Sequence, residues 1–266
     1  MSRGRASGPP RRRPSKAAVL LDLLVFVEGA RTEEQYLTSW RRQYRDRVLV
    51  EIDPYRGAPL QLVQRAVEAQ RTEVRDERRG RGRAHNQIWC VFDRDEHPNF
   101  ARAVDLANRH NVNVAISNPC IELWFILHFE DRTAYLDRYE AQHRAEELLG
   151  CSKVLTESAL SALARGYEDA RRRAINLDGK HAGDGSPPAS NPSSGLWRLI
   201  DLIRTPDAAA ALNADWPGWK IWVVIRAVGG PVWCARRRDG TGQTSEANSV
   251  DELVEHLKEG QPTNLE

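Results

Sequence analysis

The stretch IWCVFDRDEHP, residues 88–98, is the strongest indication of fold in this chain. Its first five residues are apolar and predict a buried strand, and Asp93 and Asp95 follow directly. A similar apolar run, residues 19–27, ends at Glu28. Ligands of parallel α/β sheets bind beyond the carboxyl ends of the strands. These acids therefore lie where a functional site would form.

The segments around this stretch alternate between apolar runs of strand length and amphipathic runs. Such alternation predicts βαβ units and a mainly parallel sheet flanked by helices, which is an α/β fold. The predicted strands cover residues 19–27, 48–52, 88–92 and 112–116. Four helices are predicted between and after these strands. The first covers residues 32–44, with Thr32 as N-cap, and the second runs from Leu60 through Val74 and ends in the Arg-rich stretch 78–83. The third covers residues 100–110, and the fourth is an apolar helix that begins at Pro119 and continues to Phe129.

A helical extension and a small C-terminal unit are predicted beyond the sheet. The extension has helices at residues 135–149, 155–177 and 196–203, with a Gly/Pro/Ser-rich loop at 178–194. The C-terminal unit has two strands, residues 219–226 and 231–238, joined around Gly229-Gly230, and a helix at 251–257 capped by Ser249. The predicted domains are a disordered basic arm (1–16), an α/β domain with the helical extension (17–205) and a ββα accessory unit (206–266).

The composition is that of a folded globular protein. Of the 266 residues, 41% are hydrophobic and 29% are charged. The four cysteines show no spacing typical of a zinc site or a disulfide framework, which favours a reducing cytoplasm. The apolar run that ends at Glu28 contains Asp22 and is too short to span a bilayer, so we predict neither a signal peptide nor a membrane anchor.

Basic residues are concentrated at the N-terminus. The formal net charge is +2, but residues 1–16 contain six basic residues and no acid, so the other 250 residues sum to −4. Such an arm can bind nucleic-acid phosphates through counterion release, or it can be a solvated disordered tail. The sequence leaves both interpretations open.

Three acids form the candidate metal site. Asp93 and Asp95 are two residues apart, which in extended backbone puts both carboxylates on the same side, and Glu28 ends a neighbouring apolar run. Oxygen-only clusters suit hard ions such as Mg²⁺ or Mn²⁺. Such an ion lowers the pKa of bound water and neutralises phosphate charge, which is the chemistry of phosphodiester hydrolysis. Acids in this position also occur as loop solubilisers or helix caps.

Three longer motifs in one order resemble the RloB-like family. They are FVEGARTEEQY (residues 26–36), CVFDRDEHP (90–98) and SNPCIELWFILHF (117–129), and the similarity covers roughly residues 17–205. The resemblance implies a Toprim-like fold, the catalytic module of topoisomerases, primases and overcoming-lysogenization-defect nucleases.

In Toprim modules a Glu after the first strand and a DxD after a later strand bind metal, so the resemblance gives these roles to Glu28, Asp93 and Asp95. It also implies a Mg²⁺- or Mn²⁺-dependent nuclease that acts on DNA or RNA in phage defence with an AAA- or ABC-type ATPase partner. The alternative function is a non-catalytic, nucleic-acid-binding sensor or adaptor. A homo-oligomer is compatible with either function.

Other ionisable residues are secondary candidates for the site. Glu33 is either a further metal ligand or a first-turn acid that interacts with the helix dipole. Glu122 is a catalytic candidate because it lies near the start of its predicted helix, beside the end of the fourth strand. His128 lies six residues further on, about 120° away around the helix, so one ion does not take both. A core position is favoured for this histidine.

Phosphate contacts are expected from a few basic residues. The candidates are Lys153, Arg94 beside Asp93, and His97; a loop histidine is the favoured alternative for His97, and an outward orientation is the alternative for Arg94. The arginines of residues 78–83 follow several acids and also fit a solvated face. Tryptophans in the C-terminal unit fit either base stacking or packing of its small core.

Overall fold

A computed structural model describes residues 21–29, 31–82, 84–94, 98–204, 212–213, 215–224, 232–241 and 244–259. Its main sheet has five strands in the order β2-β1-β3-β4-β5. The strands are β1 (Leu21–Val27), β2 (Val48–Ile52), β3 (Gln87–Asp93), β4 (Asn113–Asn118) and β5 (Ser193–Ser194). The first four are parallel, and β5 pairs antiparallel with the end of β4. The predicted α/β fold with a mainly parallel sheet is confirmed.

Helices cover both faces of this sheet. They are α1 (Thr32–Gln43), α2 (Pro59–Arg78), α3 (Phe100–His110), α4 (Ile121–Ile126), α5 (Arg138–Leu149), α6 (Glu157–Arg165), α7 (Tyr167–Gly183) and α8 (Leu196–Arg204). Successive residues of β1 enter different cores: Val25 packs with α1 and the helices after β4, whereas Phe26 packs with α2 and α3. This period of two explains why residues 23–27 of β1 are all apolar.

Several predicted helix boundaries were wrong. Arg31, not Thr32, is the N-cap of α1, and the Thr32 hydroxyl donates instead to the carbonyl oxygen of Lys153 at 3.1 Å. Pro119 precedes α4 and does not open it, because Cys120 is the N-cap and the helix ends at Ile126. The start of α5 at Arg138 is three residues later than predicted.

The predicted helix 155–177 is two helices. Gly166 separates α6 from α7, and α7 continues to Gly183, into the segment that was predicted to be a loop. A Cβ atom at residue 166 would lie 2.8 Å from the carbonyl oxygen of His128. Glycine therefore allows the chain to change direction against the end of the α4 segment, which a larger residue would obstruct.

The described residues of the C-terminal unit contain a third strand that was not predicted. Strands β6 (Trp219–Val224), β7 (Val232–Arg237) and β8 (Ser245–Ala247) form an antiparallel sheet, and α9 (Val250–Glu259) packs on it. The third strand has only three residues, too few for a periodic pattern to be recognised. The capping role of Ser249 is confirmed by its hydroxyl, which accepts from the Glu252 amide at 3.1 Å.

Some predictions lie outside the described residues. The basic arm and the Gly229-Gly230 turn belong to segments that the structure does not describe. The predicted domain boundary near residue 205 lies next to a further segment of this kind. The limits of the three domains remain predictions. None of the helices in the described ranges is long and apolar enough to cross a membrane.

Candidate metal centre

Two predicted site acids meet at the carboxyl ends of the adjacent strands β1 and β3. Glu28 follows β1 directly, and Asp93 is the last residue of β3. The Glu28 amide donates to the carbonyl oxygen of Val91 at 3.0 Å, and the Asp93 amide donates to Oε2 of Glu28 at 3.1 Å. The Glu28 carboxylate therefore lies against the end of β3, beside Asp93.

The turn after β1 brings Glu33 to the same edge. The Gly29 amide donates to Oε1 of Glu33 at 3.1 Å, and the carboxylate occupies the space where a Cβ atom of residue 29 would lie. Glu33 is in the first turn of α1, where the free backbone amides favour an acid. Only 8% of its surface is exposed. Glu33 is thus a first-turn acid beside the site, and its role as a metal ligand stays a prediction.

Glu122 approaches from the next strand. It is the second residue of α4, which begins three residues after the end of β4 at Asn118. Its negative charge raises the pKa of both Asp93 and Glu33. Strands β1, β3 and β4 therefore deliver acids to one edge of the sheet, as expected for a site at the carboxyl ends of parallel strands.

Burial and mutual repulsion act on these carboxyl groups. Burial is the main cause that raises the pKa of Asp93 well above its usual value, and the charges of Glu33, Glu122 and Glu28 add to it. Burial also raises the pKa of Glu33, with smaller contributions from Glu122 and Glu28. Like charges in a partly dry site disfavour ionisation unless a cation neutralises them.

Among the described residues, the guanidinium group of Arg138 reaches this cluster. A guanidinium nitrogen of Arg138, the first residue of α5, lies 3.8 Å from Oδ2 of Asp93 and lowers the pKa of that acid. Sequence reasoning did not select Arg138. The capping box formed by Asp137 and Glu140 marks the start of α5, but it gives no sign that α5 begins beside β3.

The carboxylates at this edge are the type of ligand that a hard divalent ion prefers, but the set of ligands is incomplete among the described residues. Every candidate ligand is a carboxylate, as Mg²⁺ and Mn²⁺ prefer. Across the described ranges, however, no three His, Cys, Asp or Glu side chains form a group that could hold a metal ion. Asp95, the predicted third ligand, lies outside those ranges. An ion at this edge would be held by Glu28 and Asp93, with further oxygens from Asp95 or Glu33.

The predicted phosphate contacts have different surroundings. The Arg94 guanidinium donates to the carbonyl oxygens of Ala189 at 2.7 Å and Pro188 at 3.3 Å, so it holds the loop before β5. Lys153 is exposed and accepts from Thr32 through its backbone oxygen. His97 lies outside the described residues.

His128 is a buried core residue, as favoured from the sequence. It is 5% exposed, its Nδ1 lies 2.8 Å from the carbonyl oxygen of Trp124, and its ring packs edge-on against that indole. Burial lowers its pKa to about 4, so the imidazole is neutral near pH 7. Its Nε2 has no hydrogen-bond partner among the described residues.

Fold and site together define an α/β protein with an acidic cluster at the carboxyl edge of its sheet. The model of the RloB-like protein family matches residues 23–203, about two-thirds of the 266 residues. The chain therefore belongs to the RloB-like family, in agreement with the resemblance of its three motifs. Searches of curated proteins and of solved structures found no match.

Proposed function

We propose that this protein is a Mg²⁺- or Mn²⁺-dependent nuclease of the Toprim type that hydrolyses phosphodiester bonds in nucleic acid. The observation that carries this proposal is the convergence of Glu28, Glu33, Asp93 and Glu122 at one edge of the sheet, where burial, with a further contribution from their mutual repulsion, raises the pKa of Asp93 and Glu33. A divalent cation bound there would remove the repulsion. Membership of the RloB-like family supports the same chemistry.

The chain's own residues would have distinct roles. Glu28 and Asp93 would hold the ion, with Asp95 completing the DxD pair. The bound ion supplies charge neutralisation at the scissile phosphate and lowers the pKa of attacking water. Arg138 lies close enough to Asp93 to bind a non-bridging phosphate oxygen beside the ion, and guanidinium groups favour that geometry. Lys153 and His97 stay candidates for contacts to neighbouring phosphates.

The biological setting follows from the family resemblance. We propose a cytoplasmic role in anti-phage defence, with DNA or RNA as substrate and an AAA- or ABC-type ATPase as partner. Because an ATPase could be needed for activation, the test of the site begins with metal binding, which does not depend on turnover.

The first test is a Mn²⁺ titration of the full chain, followed by electron paramagnetic resonance. We expect Asp93→Asn to weaken Mn²⁺ binding by about tenfold or more, since a charged ligand is lost. The matched control is Asp53→Asn, which changes an acid directly after β2 whose carboxylate accepts from the Tyr55 amide at 2.7 Å. Equal Mn²⁺ affinity in wild type and Asp93→Asn would contradict the proposed site.

The second test is cleavage of single- and double-stranded DNA and RNA with Mg²⁺, Mn²⁺ or EDTA. The assay includes, together with ATP, an AAA- or ABC-type ATPase as the proposed partner. We expect metal-dependent cleavage by wild type and by Asp53→Asn, and its loss in Asp93→Asn. Cleavage that persists in EDTA would contradict metal dependence.

A second candidate function, a non-catalytic sensor or adaptor, is favoured by one observation. Arg138 gives Asp93 a counter-charge from the protein itself. This alternative predicts nucleic-acid binding without turnover, with a metal cluster that is structural or vestigial. The cleavage assay with and without EDTA separates the two functions.

A further inference from the structure

A cavity of about 600 Å³ lies between β4, α7 and the segment that leads through β5 into α8, and Asn248 of the C-terminal unit also lines it. On this side of β4, β5 pairs only with residues 117 and 118, so the earlier part of the strand borders the cavity. Cavities of this size, with mostly apolar walls and a few polar groups, are typical of small-molecule sites. The apolar walls include Val114, Ile116, Ile175 and Trp197, and the polar groups include Asp178, His181, Ser193 and Arg198.

Two buried polar atoms in the cavity wall lack partners. Ser193 is 2% exposed, and its Oγ has no hydrogen-bond partner among the described residues. The same holds for Nε of Arg198. A buried polar group without a partner is unfavourable, because it has given up its hydrogen bonds to water. A ligand that supplies the missing hydrogen bonds would offset this cost.

The charges of the cavity are balanced. An Arg198 guanidinium nitrogen lies 2.7 Å from Oδ2 of Asp178, and the guanidinium lies over the Trp197 ring, 4.8 Å from its centroid. A phosphate or carboxylate ligand would have to compete with Asp178 for this cation. A neutral ligand meets no such competition, and it can donate to Asp178 while it accepts from Ser193.

We propose that this cavity binds a neutral nucleobase, as a free nucleoside or as a base within a nucleic-acid strand. A nucleobase is flat, largely apolar on its faces, and carries N–H donors and ring or carbonyl acceptors on its edge. Those properties match an aromatic and aliphatic wall with a carboxylate, a hydroxyl and a guanidinium group. The proposal is independent of the metal site.

A ligand here would touch a loop that is tied to the acidic cluster. Ala189 lines the cavity, and its carbonyl oxygen accepts from Arg94 at 2.7 Å and from Nδ2 of Asn118 at 2.8 Å. Arg94 is the residue directly after Asp93. Ala189 also has a positive φ of 58°, a strained conformation for a residue with a side chain. The loop thus connects the cavity wall with the end of β3.

Gly179 offers a way to close the cavity without disturbing the fold. It lies in α7, lines the cavity and is exposed, and an added Cβ atom meets no atom within 4 Å. Gly179→Phe would therefore fill the mouth, and replacing a helical glycine does not weaken the helix. The matched control is Gly183→Phe, one turn further along α7, where an added Cβ also meets no atom within 4 Å.

The experiment is isothermal titration calorimetry of the full chain with adenosine, guanosine, cytidine and uridine, without divalent metal. We expect at least one nucleoside to bind to the wild type. Gly179→Phe and Ser193→Ala should weaken this binding by about tenfold or more, whereas Gly183→Phe should leave it unchanged. A parallel titration with tetranucleotides identifies the source. If Gly179→Phe weakens the binding of a tetranucleotide and Gly183→Phe does not, the cavity binds a base within a strand.

The proposal is overturned if no nucleoside or tetranucleotide binds, or if Gly179→Phe binds as tightly as Gly183→Phe. Circular dichroism confirms that both variants are folded. Because no metal and no cleavage enter this experiment, its failure leaves the proposed nuclease untouched. The loss of Mn²⁺ binding or cleavage would likewise leave the cavity proposal intact.

Discussion

Gly29 shows how one residue shapes the acidic cluster. Because it has no side chain, the Glu33 carboxylate folds back over it and accepts from its amide. A similar close approach occurs at Gly57, where an added Cβ atom would lie 2.9 Å from the side-chain oxygen of Gln61, four residues later, although that oxygen accepts from the Ala58 amide at 3.3 Å. The two glycines therefore form a matched pair, of which only Gly29 lies beside the acids.

We predict that Gly29→Ala displaces Glu33 and weakens Mn²⁺ binding by about tenfold, while the protein stays folded. The clash involves only the end of a flexible side chain, which can move aside. Gly57→Ala should move Gln61 in the same way without affecting Mn²⁺ affinity. If both variants bind Mn²⁺ as wild type does, Glu33 is only a first-turn acid of α1 and takes no part in binding the ion.

Helix α5 carries Arg138 to the cluster, and its first turn is held by a capping box. Oδ1 of Asp137 accepts from the Glu140 amide at 2.9 Å, and the Glu140 carboxylate accepts from the Asp137 amide at 3.4 Å. Arg138 is the first residue inside the helix. The position of its guanidinium therefore depends on this cap.

We predict that Asp137→Ala lowers the free energy of unfolding by about 1 kcal/mol, as loss of an N-cap does, and also changes nucleic-acid affinity through Arg138. Urea unfolding and a filter-binding assay measure the two effects. Thr156→Ala removes the comparable cap of α6, whose hydroxyl accepts from the Ala159 amide at 3.2 Å. Thr156→Ala should lower the free energy of unfolding by a similar amount without altering nucleic-acid binding. Equal nucleic-acid affinity in Asp137→Ala and Thr156→Ala would contradict a role for α5 at the site.

At the scale of the whole molecule, charge is unevenly distributed along the chain. Residues 1–16 contribute +6 and the other 250 residues −4. An acidic globular part repels nucleic acid, so any attraction at long range must come from the basic arm.

We predict that replacing the six basic residues of the arm by glutamine weakens nucleic-acid binding and flattens its salt dependence. For a duplex, each phosphate contact contributes about 0.9 to the slope of log affinity against log salt, so the slope should fall by up to about 5. Fluorescence anisotropy titrations at salt concentrations from about 50 to about 200 mM measure this slope. An unchanged slope would mean that the arm is a solvated tail.

Local patterns were sufficient for the strands of the sheet. Apolar patterns predicted β1 through β4 within two residues of their ends in the described chain. The runs of β1 and β3 are nearly continuous because both faces of these strands are buried, whereas β2 alternates buried and exposed residues. The same reasoning placed Glu28 and Asp93 at strand ends. It could not detect β5 or β8, since two- or three-residue strands exist only through their partners.

The contacts that build the two candidate sites came from packing between distant parts of the chain. Arg138 reaches Asp93, and the loop at Ala189 is tied to Arg94 across about 95 residues of sequence. No periodicity encodes such pairs, because they depend on how helices and loops stack on the finished sheet. Apolar runs and the acids at their ends are local properties that can be read from the amino-acid order; the cation beside Asp93 and the cavity at β4 arise only when those elements are packed together.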